Sequence, residues 1–192
     1  MYAQRKPHAI HCTFLHFDES LMSTSNAVSF STCDFGDVYK DDLSGAFRAL
    51  PPVFHDLGGL SRFCGEVLTI KCFEDNTPVK KAVESPGHGR VLVVDGGASL
   101  RRALLGGNLA ASAARQGWSG VVVDGCVRDL AELRAAQVGI RALALMPLPT
   151  VRQYEGQTGM PVQIQGVWVR TGDWLYADED GMVVHSTCLH SA

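Results

Sequence analysis

Arg128 and Asp129 stand side by side just past Gly120-Val121-Val122-Val123, an apolar run closed by Asp124-Gly125. A run of that length reads as a buried strand followed by a glycine turn, and α/β folds set ligand sites where the carboxyl ends of strands open into crevices. A guanidinium at such a place stays charged at any physiological pH and grips a carboxylate through two parallel N–H bonds, which suits the carboxylate and keto oxygens of a 2-oxo acid. A surface salt bridge or a helix cap accounts for the same pair. Three residues on, Glu132 shares a helix face with Asp129, so the two carboxylates are suited to a hard cation such as Mg²⁺ held through oxygens and waters. Acids in a first helical turn also simply complement the helix dipole. Upstream, Gly106-Gly107-Asn108-Leu109 offers backbone N–H groups with no side chain in the way, which makes either a cradle for a small anion at a helix start or a plain kink.

The elements that must carry these residues are legible from apolar spacing. Ser31-Thr32-Cys33-Asp34-Phe35 supplies caps for a short helix, with Asp34 and Asp37 as capping candidates. Val67-Leu68-Thr69-Ile70 reads as a strand, and a loop from Asp75 enters a helix with Pro78 in its first turn. Val91-Leu92-Val93-Val94 is a buried strand ending in the turn Asp95-Gly96-Gly97, and residues 99–115 have helical apolar spacing broken at Gly106-Gly107. The unit repeats as the strand 120–123, the turn Asp124-Gly125 and a helix from about Asp129 to Ala136. This alternation predicts an α/β layer arrangement. Residues 140–145, 162–165, 167–169 and 182–184 add apolar or alternating runs, so the C-terminal part is β-rich and fits a sandwich or partial barrel better than a doubly wound sheet.

A chain of 192 residues, 46% hydrophobic and 19% charged with a net charge of −3, suits one ordinary domain. It is neither an acidic disordered chain nor a basic nucleic-acid binder, so no direct nucleic-acid ligand is expected. Six cysteines without a CxxC pair argue against a zinc site or a disulfide framework and predict reduced, mostly buried thiols in a cytoplasmic protein. The apolar runs are too short for a membrane span. Residues 1–26 carry Arg5 and Lys6, but His8, His11, His16, Asp18 and Glu19 deny the stretch after them any apolar continuity, so they read as an N-terminal extension rather than a signal peptide, ahead of a domain over 27–192. His55, His88 and His185 are isolated and read as structural; Trp118, Trp168 and Trp174 read as core or subunit-contact residues.

The combined pattern is Gly107, twenty residues, Arg128-Asp129, two residues and Glu132, after Val91-Leu92-Val93-Val94-Asp95-Gly96-Gly97. It resembles the RraA-like family, which includes the 4-hydroxy-4-methyl-2-oxoglutarate aldolases. The resemblance runs from about Ser31 to Val184 and takes in Lys71-Cys72-Phe73-Glu74-Asp75-Asn76, Gly117-Trp118, Gly125-Cys126-Val127-Arg128-Asp129 and Gly172-Asp173-Trp174. It implies a homotrimer with a single-domain β-sandwich or barrel-like core, flanking helices and a site near a subunit boundary. It also implies a divalent cation, Mg²⁺ or Mn²⁺, that polarises the 2-oxo group of a small 2-oxo acid, with Lys71, Lys80 and Lys81 as ordinary lysines. By position, Gly106, Gly107, Asn108 and Leu109 would contact substrate through the backbone, Arg128 would bind it and act in catalysis, and Asp129 would anchor the metal; where the family's aspartate is replaced by Gly107, Glu132 and Asp124 are the candidates to compensate through coordinated waters.

Two departures stand out. Catalytic members commonly carry aspartate at the position of Gly107, and the aldolases draw an acidic residue from a longer C-terminal segment of the neighbouring subunit, whereas residues 186–192 contain none. Retro-aldol cleavage needs a base and an electron sink, but oxaloacetate decarboxylation needs only the sink. The expectation is therefore metal-dependent decarboxylation to pyruvate with weaker aldolase activity. The alternative is a regulator that binds and inhibits RNase E through the trimer surface. A methyltransferase using S-adenosylmethionine, suggested by Asp95-Gly96-Gly97, lacks the full glycine fingerprint.

Overall fold

Runs of β-branched residues buried on both faces are the mark of parallel strands covered above and below, and four of them build the centre of this fold. The computed structural model describes residues 29–190 except 152 and 154, so the extension expected over 1–26 lies outside the described residues. In order, the elements are α1 (Thr32–Tyr39), β1 (Phe47–Ala49), β2 (His55–Asp56), β3 (Phe63–Lys71), α2 (Thr77–Val83), β4 (Val91–Leu105), α3 (Gly107–Arg115), β5 (Gly120–Val127), α4 (Leu130–Ala135), β6 (Gly139–Leu145), β7 (Gln157–Thr158), β8 (Val162–Ile164), β9 (Val167–Val169), β10 (Trp174–Ala177) and β11 (Met182–His185). Strands β3, β4, β5 and β6 pair in parallel, with Val67 opposite Val91, Val91 opposite Gly120 and Gly120 opposite Gly139. The full path is β1-β11-β10-β3-β4-β5-β6-β2, with β7 on β3 and β8-β9 as a separate hairpin.

Right-handed crossovers between sequential parallel strands put α2, α3 and α4 on one face of the sheet. There Val79 and Val83 of α2, Ala110 and Ala113 of α3 and Leu133 of α4 bury themselves on Val121 and Val123. The intervening Val122 turns to the other face, where Val162, Ile164 and Val169 of the hairpin cover it with Leu175 and Val184. The fold is thus mixed α/β and sheet-rich with few helices, as expected.

The sheet also curls. Arg141 on β6 donates to the carbonyls of Ser61 (2.6 Å) and Asp178 (3.0 Å), although Asp178 follows β10, four strands away along the path. It pairs with Asp56 and lies 5.5 Å over the Phe63 ring. That ring rests on Gly120 and Gly139, where any Cβ would overlap it, so the strands close together at their N-terminal ends.

Several local expectations are corrected. Residues 99–105 are not helical: β4 continues through them to Leu105, and only Gly107–Arg115 forms a helix. Left-handed Gly97 (φ 65°) and Ala98 (φ 52°) let a bulge in, after which Ser99, Ala103 and Leu105 still pair with Gly125, Cys126 and Val127. For the same reason Asp95-Gly96 and Asp124-Gly125 lie inside strands rather than in turns. The cap of α1 is the Ser31 hydroxyl, which accepts from the Asp34 N–H at 3.2 Å, in place of Asp34 or Asp37. Of the described cysteines, all free, Cys72 and Cys126 are buried and Cys64 half-buried, but Cys33 and Cys188 are exposed. Trp118 is core, whereas Trp168 is exposed. His55 and His88 are exposed, and His185 is buried against Thr187. Among the described residues no helix is long and apolar enough to cross a membrane.

Candidate functional site

Parallel pairing of Leu105 with Val127 brings the ends of β4 and β5 together, and with them the two loops that the sequence separates by twenty residues. The Arg128 N–H donates to the Leu105 carbonyl at 3.0 Å and fixes the junction. Gly106 is extended and leads into α3; Asp129 is left-handed (φ 66°, ψ 50°) and leads into α4. Aspartate is one of the few side chains that tolerates that conformation. The turn it makes brings its Oδ2 to the Gly107 N–H at 3.1 Å and to Arg128 Nε at 3.6 Å. Gly106 has to be glycine for this approach: a Cβ there would stand 2.7 Å from Asp129 Oδ2 and 3.3 Å from Arg128 Nε.

Gly106, Asn108, Leu109, Arg128 and Asp129 line one cavity of about 410 Å³. The Arg128 and Asp129 side chains are each 39% exposed, open enough to meet a ligand. Besides Asp129, Arg128 makes among the described residues a long contact to the Pro147 carbonyl, at 3.5 Å, which leaves most of its fork of donors for an anion. In the cradle, Gly107 N–H is committed to Asp129, and Leu109 and Ala110 N–H to the Gly106 carbonyl at 3.0 Å, so among the described residues the Gly106 and Asn108 N–H groups are left without a protein acceptor.

Three predicted residues do not line the cavity, and the first is Gly107, which is buried beneath it with its N–H on Asp129. Glu132 does not line the cavity; its side chain covers Gly107, and a Cβ at Gly107 would overlap it, coming within 2.6 Å of Cδ. Asp124 lies on the hairpin face of the sheet, where its Oδ1 accepts from Gln165 Nε2 at 2.7 Å. Burial pushes its carboxyl up, the Gln165 bond works against this, and nearby Asp95 adds to the rise. Alternation along β5 sends it away from the helices and the cavity.

Other contributors escaped the sequence reading. Asn76, Lys80 and Glu84 on and beside α2, and Ser112 and Arg115 on α3, line the cavity's outer part. Asp75 is buried and clamps the loop over the site: Oδ1 accepts from Thr77 N–H (2.8 Å) and hydroxyl (2.6 Å), and Oδ2 from the N–H groups of Gln153 (2.8 Å) and Glu155 (2.9 Å). Burial works to raise its pKa, but those hydrogen bonds outweigh it and hold the group down at about 2. The signal was present in Asp75-Asn76-Thr77-Pro78, an acid two residues ahead of a helix-starting Thr-Pro.

Among the described residues no group of three or more His, Cys, Asp or Glu is arranged to hold a metal. The donor chemistry still fits a hydrated hard cation. Asp129 Oδ2 is occupied by Gly107, leaving Oδ1 free, and Mg²⁺ commonly takes one or two carboxylates, several waters and oxygens of the substrate.

The RraA-like family profile, described as Aldolase/RraA, matches residues 32–184. A protein of Albidiferax ferrireducens named "Putative 4-hydroxy-4-methyl-2-oxoglutarate aldolase" is 67% identical over 164 residues, 81% of this chain and 95% of that one. The RNA-processing inhibitor RraA from Thermus thermophilis superposes with a TM-score of 0.78 at 46% identity, covering 83% of this chain and 94% of that one. The S-adenosylmethionine: 2-dimethylmenaquinone methyltransferase from Geobacillus kaustophilus HTA426 superposes with a TM-score of 0.76 at 37% identity, covering 83% and 97%. Since the profile spans nearly all of the described residues and the Albidiferax relative aligns over almost its whole length, this chain belongs to the RraA-like family.

Proposed function

We propose that this protein is a carbon–carbon lyase that releases pyruvate from 2-oxo acids, decarboxylating oxaloacetate and, more weakly, cleaving 4-hydroxy-4-methyl-2-oxoglutarate. The observation that carries the reading is the convergence of Arg128, Asp129, Gly106, Asn108 and Leu109 on a single cavity. The aldolase name of the 67% identical relative agrees with it.

In this reading Arg128 takes the substrate carboxylate bidentately and stabilises negative charge growing on the 2-oxo oxygen, with the Asn108 N–H as a second donor. Asp129 would hold Mg²⁺ or Mn²⁺ through its carboxylate, and such a cation would supply Lewis-acid polarisation of the 2-oxo group. Loss of CO₂ leaves the electron pair as an enolate on those donors, and protonation gives pyruvate. Aldol cleavage additionally needs a group to take the hydroxyl proton. Glu84 is the only other carboxylate lining the described cavity, and it sits at the outer end, which is why decarboxylation is the more robust reaction. A homotrimer in the cytoplasm belongs to the same reading.

The test is pyruvate release from oxaloacetate with added Mg²⁺ or Mn²⁺. Activity is expected to vanish with chelator, and Arg128→Ala to lower kcat/KM by about 10²-fold to 10³-fold. Asp129→Asn is expected to keep the fold and lose the metal response. Turnover that ignores chelator overturns the proposal.

A regulatory reading, binding of an RNase E-type ribonuclease, draws support from the likeness to the Thermus inhibitor and from the exposed apolar side chains Leu145, Leu148 and Val151. Co-purification with the ribonuclease, together with absent lyase activity on a panel of 2-oxo acids, is the outcome that favours it. The methyltransferase reading finds no open glycine turn: Gly96 is packed within β4, and a Cβ there would meet the Leu104 side chain and, at 2.7 Å, the Asp124 carbonyl.

A further inference from the structure

Away from the cavity, two sulfurs flank one phenol. Tyr176 of β10 is fully buried, and its partner across the strand pair is Cys64 of β3. Side chains paired in that way share a face, with Cβ atoms about 5 Å apart. Cys64 is half-buried there, against the cluster of Phe30, Tyr176 and Val183. At the hydroxyl end of the ring the tail beyond β11 folds back: Tyr176 Oη accepts from the Leu189 N–H at 2.7 Å and lies 3.7 Å from Cys188 Sγ and 3.0 Å from His190 Nδ1. Cys188 Sγ in turn stands 3.5 Å from His190 Nδ1 and 3.6 Å from Nε2, and the imidazole is held edge-on against the Trp174 and Tyr176 rings.

The two thiols are unlike. Cys188 is exposed and has an imidazole in reach that can take its proton, and the thiolate is the nucleophilic form. Burial pushes the Cys64 thiol up to about 11, and nearby Cys188 adds to the rise, so Cys64 is slow to react by itself. Of the other described thiols, Cys72 and Cys126 are pushed up by burial, the first to about 12, and exposed Cys33 is pushed up mainly by the charge of Asp180. Cys64 follows Phe63 at the start of β3, away from the ends of β4 and β5, so the cluster stands apart from the candidate site and from the lyase reading.

We infer that Cys188 and Cys64 form a redox pair, in which a peroxide oxidises Cys188 beside His190 and Cys64 then closes a disulfide that ties the C-terminal tail to β3. In the first step the Cys188 thiolate sulfur attacks one peroxide oxygen. An S–O bond forms and the O–O bond breaks; sulfur is oxidised to a sulfenic acid, the peroxide is reduced, and the departing oxygen takes the proton from the imidazole and leaves as water or an alcohol. In the second step the Cys64 sulfur attacks the Cys188 sulfur, an S–S bond forms, the S–O bond breaks, and the hydroxyl leaves with the Cys64 proton as water. Residues 186–190 belong to no strand or helix, so Cys188 can close on Cys64 without parting the sheet.

The test treats the reduced protein with hydrogen peroxide and maps its cysteines by peptide mass spectrometry. Wild type is expected to yield a linked Cys64–Cys188 peptide pair that a thiol reductant separates. Cys64→Ser is expected to stop at a sulfenic acid on Cys188, trapped by dimedone, and Cys188→Ser to leave Cys64 reduced over the same time. His190→Ala is expected to slow oxidation of Cys188 by about 10-fold. Thermal melting of the reduced variants separates a lost fold from a lost reaction. A wild-type protein whose Cys188 stays reduced, or links to Cys12 or Cys33 in place of Cys64, overturns the pair. So does a Cys188→Ser variant whose Cys64 is consumed at the wild-type rate, or an unchanged rate in His190→Ala.

Discussion

At the scale of single residues, Gly107 and Glu132 fit each other. The Glu132 side chain fills the volume that any side chain at 107 would need, so the glycine at a position where catalytic relatives commonly have aspartate has a local steric partner. Gly107→Asp is expected to cost about 1–3 kcal/mol of stability, since overpacking displaces a side chain from its Cβ outward. Adding Glu132→Gly should recover most of that loss, and melting of the four proteins of a double-mutant cycle checks it. Independent, additive effects would show that the two positions do not compete for space. The sequence displayed both residues and their spacing, and it led to a shared carboxylate site with Asp129. What it lacked was the left-handed turn at Asp129, which rotates α4 so that Glu132 covers the glycine instead of facing the cavity.

At the scale of elements, the strands that carry β-branched runs were readable because burial on both faces leaves no polar alternation to misread. The stretch 99–105 misled because apolar residues at 100, 103, 104 and 105 match a helical face as well as an interrupted strand, and only pairing with β5 decides between them. The loop after β6 was equally illegible, since its placement depends on Asp75, about eighty residues earlier, through the bonds to Gln153 and Glu155. That clamp makes a pH prediction. A carboxylate held below its ordinary value contributes stability that is fully present above 3.8 and is lost as the pH falls through about 2. Wild type is expected to melt above Asp75→Asn at neutral pH and to converge with it across that acid window. A gap that persists at pH 2 would assign the clamp to hydrogen bonding alone.

At the scale of the whole molecule, the β-rich C-terminal part was legible from its short alternating runs, but the curl of the sheet was not, because it depends on Phe63 meeting two glycines from other strands. Gly139→Ala forces a methyl group into that ring and is expected to cost about 2–3 kcal/mol. Shrinking the ring with Phe63→Leu in the same chain should return part of the loss in a denaturant titration. A neutral Gly139→Ala would mean that the ring can swing aside and that the closure is softer than the packing implies.

Phe63, Gly120 and Gly139 all stand at the first residues of their strands, while Leu105 and Val127 end theirs. Robustness and the candidate site therefore occupy opposite poles of the same backbone ladder. The loops at the open pole, Gly106–Leu109 and Arg128–Asp129, are remote from the Phe63 ring and its two glycines. A lineage of such proteins is free to vary those loops on an unaltered frame.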